Sequence, residues 1–185
     1  MDIATTRTQL SIDEFERLPE PEQGGGNELD EGEPVYAPPN SSEQAEIIQQ
    51  FYALLKKWAQ SGNHGIVAPN RWIALASGIV RAPDVAYIPR KRISKLDPKH
   101  SLKVVPALAI EVLSSYNTAR EMARKLQQYR DAGVDLIWVV DPDKCEVEVY
   151  SSLPLKILRK GDVRKDGRIL PGLCISVGAL FEPAL

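Results

Sequence analysis

The stretch that decides the fold is Ala107-Leu108-Ala109-Ile110-Glu111-Val112-Leu113, followed further on by Val134-Asp135-Leu136-Ile137-Trp138-Val139-Val140. Both runs are almost continuously apolar, which marks strands covered on two faces rather than one. The first extends back to Val104 as an expected strand over 104–113. Between the two lies a helix signal. Thr118 and Glu121 stand at capping-box spacing, Met122, Leu126 and Tyr129 recur at i, i+4 and i+7, and Gly133 closes the segment.

Working outward, Ser41 and Ser42 open a second helix whose Ile47, Phe51, Leu54, Leu55 and Trp58 keep helical spacing until Gly62. Residues 65–68 and 71–76 then read as a hairpin, followed by a strand over 79–88. On the far side, Asp141-Pro142-Asp143 turns into an alternating strand from Cys145 to Tyr150, and a last hairpin leads to Leu170-Pro171-Gly172. This order predicts an α/β fold, a mixed sheet with helices on both sides. The start of the chain differs. Ser11 and Glu14 can cap a short helix, which Pro19, Pro21 and Gly24-Gly25-Gly26 break. Residues 1–40 are therefore read as an acidic arm with a short helix, and 41–185 as the main domain.

Composition narrows the function. At 185 residues with 43% hydrophobic and 26% charged side chains, the chain matches a globular protein of ordinary size. No apolar run approaches the ~20 residues of a membrane span. The opening residues are polar and acidic, unlike an export signal, so a cytoplasmic protein with reduced Cys145 and Cys174 is expected. Two histidines and two cysteines without metal-binding spacing leave oxygen ligands for any metal, which favours Mg²⁺ or Mn²⁺ over zinc. Charge is uneven. Residues 1–46 carry 12 acids against Arg7 and Arg17, whereas the remainder carries 13 acids against 21 bases. An acidic arm on a basic body points to a polyanionic partner.

Three polar residues sit where a core prefers something else. Asp84 follows Pro83 inside an expected strand, Glu111 interrupts an apolar one, and Lys125 borders the core stripe of its helix. An isolated buried carboxylate costs several kcal/mol unless paired, neutralised or bound to a metal. Structural alternatives exist for each: a Pro-Asp turn for Asp84, a bridge to Arg81 for Glu111, and an i,i+4 pair with Glu121 for Lys125. Together they suggest more. Two carboxylates on adjacent strands make a site for a hard cation, and a nearby lysine can orient water and offset phosphate charge.

Pro83-Asp84, Glu111-Val112-Leu113-Ser114, Lys125 with Tyr129, Gly133-Val134, Trp138-Val139-Val140-Asp141-Pro142 and Val147-Glu148-Val149-Tyr150 resemble the Uma family of bacterial endonucleases. That family lies in the PD-(D/E)xK restriction-endonuclease-like superfamily. Leu10 to Pro19 resembles its opening helix, and Leu170-Pro171-Gly172-Leu173 with Leu180-Phe181 its closing segment. The resemblance implies a restriction-endonuclease-like mixed central β-sheet flanked by helices. It implies catalytic Asp84, Glu111 and Lys125, with a metal held by Asp84, Glu111 and the Val112 carbonyl. The E-x-K lysine position is Leu113, so Lys125 represents a lysine moved to the next helix. The additional acid of the superfamily would be Glu46 or Glu43, and Gln44 and Ser115 replace a histidine and a proline usual in relatives.

The function so implied is Mg²⁺-dependent (or Mn²⁺-dependent) hydrolysis of phosphodiester bonds in DNA by a homodimer. Arg90, Lys91, Arg92 and Lys95 in the basic connection after residue 88 would meet DNA phosphates. The alternatives are a non-catalytic DNA-binding or assembly protein that retains the fold, and a small-molecule-binding α/β protein.

Overall fold

The computed structural model describes residues 9–93, 100–165 and 167–182. The chain begins with α1 (Ile12–Phe15), β1 (Gly26–Asp30), β2 (Glu33–Ala37) and the long helix α2 (Ser42–Ser61). Four strands follow: β3 (Gly65–Pro69), β4 (Ile73–Ala76), β5 (Ile79–Arg81) and β6 (Val85–Pro89). Then come β7 (Leu108–Val112), α3 (Ala119–Asp131), β8 (Leu136–Asp141) and β9 (Glu146–Tyr150). β10 (Lys156–Arg159), β11 (Val163–Lys165) and β12 (Cys174–Ser176) complete the described strands.

The central sheet runs β10-β9-β8-β7-β6-β3 and is mixed. β7 and β8 pair in parallel, with α3 as the crossover between them, while its other pairs are antiparallel. Alternation along β7 and β8 sorts side chains to two cores. Leu108, Ile110, Val112, Leu136, Trp138 and Val140 join Phe51, Leu55 and Trp58 of α2. Ala109, Ile137 and Val139 join Met122, Leu126 and Tyr129 of α3. Glu111 has the parity of Ala109 and therefore faces α3.

α3 has the ends its sequence promises. The Thr118 side chain accepts the Glu121 N–H, and the Glu121 carboxylate accepts the Thr118 N–H. At the other end Gly133 adopts φ 86°, where a Cβ is disfavoured. There the Gly133 and Val134 N–H groups donate to the Arg130 and Tyr129 carbonyls, a Schellman closure. α2 carries the same reciprocal cap through Ser41 and Gln44.

A four-stranded antiparallel sheet, β2-β1-β5-β4, packs over a small core of Phe15, Leu29 and Val80. Two expectations change here. The expected hairpin of 65–68 with 71–76 does not form, because β3 pairs with β6 and β4 pairs with β5. The expected strand over 79–88 is two strands in two sheets, divided at Ala82-Pro83-Asp84. Proline has no N–H to give a ladder, so the chain changes sheet there. The strand expected over 104–113 is shorter, at Leu108–Val112. No described helix is long and apolar enough to cross a membrane.

Candidate active site

Asp84, Glu111 and Lys125 line one cleft of about 420 Å³, together with Glu28, Gln44, Arg81 and Val112. The break before β6 brings Asp84 beside the end of β7, where its Oδ2 accepts the Val112 N–H at 2.7 Å. Glu111 is buried on the α3 side. Its Oε1 accepts the Tyr129 hydroxyl at 2.5 Å, and its Oε2 lies 3.3 Å from Lys125 Nζ. Lys125 and Tyr129 are four residues apart on α3 and so reach the same carboxylate from one helix face.

Sequence reasoning left Glu28 out. It lies on β1, inside the acidic segment, and is almost wholly buried at 3% exposure. Its Oε1 accepts the Ala82 N–H at 2.9 Å and Lys125 Nζ at 3.1 Å. Its Oε2 accepts Arg81 Nη1 at 2.9 Å. Arg81 therefore pairs with Glu28 and also with Asp30 at 3.2 Å, rather than with Glu111. Among a dozen acids in the first 46 residues, nothing but the fold distinguishes this one.

The proposed additional acids fare differently. Glu43 and Glu46 are exposed on α2 and are absent from the cleft lining. Gln44 of the same turn is buried and enters instead, its Nε2 donating to the Val112 carbonyl at 3.1 Å. A carbonyl oxygen has two lone pairs, so one remains for another ligand. Of the basic connection, the described Arg90, Lys91 and Arg92 are absent from the cleft lining. Arg90 and Lys91 are exposed beyond the end of β6 remote from Asp84, about 20 Å along the chain at ~3.4 Å per residue. Arg92 is spent on Asp135 and on the Val105 and Pro106 carbonyls. Lys95 falls outside the described residues.

Burial raises the pKa of both Asp84 and Glu111. Burial, with the Glu111 charge adding to it, pushes Asp84 from 3.8 to about 7, against the Val112 N–H and Lys125. Burial also raises Glu111, with Lys125 opposing and Glu28 adding. For Lys125 burial pulls downward, yet Glu111 and Glu28 outweigh it and hold the ammonium above its ordinary value. Burial and the Glu111 charge raise Tyr129 well above its usual range, so it stays a hydroxyl donor.

The donor set suits a small hard cation. Among the described residues lining the cleft there is no histidine or cysteine, and two carboxylates lie deep enough to repel one another. No group of three or more acid, histidine or cysteine side chains converges as a ready cage among the described residues. Two carboxylates, with remaining positions left to water and phosphate, is the way proteins usually hold Mg²⁺.

The site sits on a mixed central sheet with α2 packed on one face and α3 on the other. The family can be stated as well. The Uma2 family model, described as "Putative restriction endonuclease", matches residues 12–178, and the chain belongs to that family. No curated protein matches it. Among solved structures it is similar to one described as "a putative nuclease belonging to DUF820" from Anabaena variabilis ATCC 29413. The two share 18% identity with a TM-score of 0.80, over 93% of this chain and 97% of that one. The likeness is one of fold.

Proposed function

We propose that the protein is a metal-dependent endonuclease that hydrolyses phosphodiester bonds in DNA. The observation that carries this reading is the meeting of Asp84, Glu111 and Lys125 in one cleft. Asp84, Glu111 and the Val112 carbonyl would hold Mg²⁺ or Mn²⁺, which when bound supplies a Lewis acid for phosphate oxygens and water. The chain's own groups divide the remaining work. Lys125, kept protonated by its two acid neighbours, acts as a fixed cation beside the phosphate rather than as a base. Tyr129 fixes the rotamer of Glu111 by donating to one of its oxygens. Asp84 takes its orientation from the backbone of the strand that carries Glu111.

A second reading, a non-catalytic DNA-binding protein, has one observation in its favour: Gln44 and Lys125 already engage two of the proposed ligand atoms. Calorimetric titration of Mg²⁺ and Mn²⁺ into wild type and Asp84→Asn, with nicking of supercoiled plasmid in parallel, separates the two. Binding and nicking that both disappear in the variant support the nuclease. DNA retention indifferent to metal and to loss of Lys125 supports the second reading.

A further inference from the structure

Lys125 is shared between two carboxylates that are held very differently. Glu28 is locked: Ala82 N–H and Arg81 Nη1 fix its two oxygens. Arg81 is itself pinned by Gln128 Oε1 at 2.7 Å and by Asp30, and Gln128 Nε2 reaches Asp30 Oδ1 at 2.7 Å. Glu111 has the Tyr129 hydroxyl on Oε1, while its Oε2 is met by Lys125. The ammonium thus rests on a rigid acid from β1 and touches the one oxygen of Glu111 that a cation would need.

We infer that Glu28 is a positioning residue, which draws the Lys125 charge toward β1 so that Glu111 Oε2 can accept a divalent cation with the ammonium still beside it. The inference rests on the metal-nuclease reading and deepens it. Without the Glu28 charge, Lys125 would settle fully on Glu111 and compete with the metal for the same oxygen. Glu28 is not itself a ligand in this arrangement, because Arg81, Ala82 and Lys125 already occupy it. Outer-shell groups around a metal site typically change its affinity by about 10- to 100-fold when removed.

The test is a double-mutant cycle read by Mn²⁺ calorimetry on the full chain: wild type, Glu28→Gln, Lys125→Met and the double variant. Glu28→Gln should weaken Mn²⁺ binding by about tenfold or more. In the Lys125→Met background, where the competitor is gone, the same change should alter affinity by less than about twofold. Equal weakening in both backgrounds would make Glu28 a direct ligand and overturn the inference, as would no weakening in either. Should Glu28→Gln melt far below wild type, Lys125→Met carries the test by itself. It is expected to bind Mn²⁺ at least as tightly as wild type, and weaker binding overturns the proposal. A wild type that takes up no Mn²⁺ refutes the metal reading and this inference with it. Mn²⁺ binding with an additive cycle removes the role of Glu28 alone.

Discussion

A carboxylate at position 111 is tolerable because the fold surrounds it with Tyr129 and Lys125, which take up its two oxygens. Removing the charge should leave that packing nearly intact in Glu111→Gln, whose amide oxygen can accept from Lys125 while the Tyr129 hydroxyl turns to accept from the amide N–H. Asp84 is less well compensated, and its value of about 7 lies above the 3.8 of an ordinary aspartate. The metal-free folded protein therefore keeps a proton that the unfolded chain releases between those values. Stability from this group is fully present below about pH 4 and is lost as pH rises through 7, by roughly 2–4 kcal/mol. Denaturant unfolding at pH 5 and pH 8 should show that fall in wild type and a flatter response in Asp84→Asn. Identical slopes would remove Asp84 as its source. At this scale the site was partly legible. Asp84, Glu111 and Lys125 stand out because charge is expensive where the surrounding pattern is apolar. Glu28 does not, because it is one acid in an acidic stretch, and only pairing with β5 turns it inward.

Helix α3 carries both Lys125 and Tyr129, so its first turn sets how well Glu111 is held. Thr118→Ala removes the side-chain half of the capping box and should cost about 1 kcal/mol of stability, seen as a lower denaturation midpoint. Lys125 lies almost two turns in, so the cleft geometry should survive. A loss well above 2 kcal/mol would mean that Thr118 does more than cap. The helix and its caps were legible because they are local: spacing, a threonine and a glycine are enough. Strand partners were not. Apolar patterning identifies β3, β4, β5 and β6 as extended, but it cannot say that β3 crosses to β6 while β4 and β5 turn to the other sheet. β1 and β2 were hidden further by composition, since Asn27, Glu28, Asp30, Glu33 and Pro34 are poor strand formers.

Across the whole molecule, the acidic segment folds onto the basic body. Glu16 meets His100, Glu28 meets Arg81 and Lys125, Asp30 meets Arg81 and Arg124, and Glu31 meets Arg124. Part of the charge asymmetry that suggested a polyanionic partner is thus spent inside the protein. Removing residues 1–40 would strip Phe15 and Leu29 from their core and leave Arg81 buried without Glu28 or Asp30. Breaking buried pairs in this way costs about 3–5 kcal/mol each. The shortened chain should melt well below the intact protein by circular dichroism. Equal melting temperatures would show that the segment adds nothing to the fold. This packing completes the cleft, and nicking of supercoiled plasmid by wild type and Glu111→Gln in Mg²⁺ reads the chemistry proposed there. Wild type should nick only with a divalent metal, and the variant should lose roughly 10²-fold or more while still melting cooperatively. Nicking retained in Glu111→Gln, or nicking by wild type that persists without divalent metal, would rule out a metal nuclease centred on Glu111.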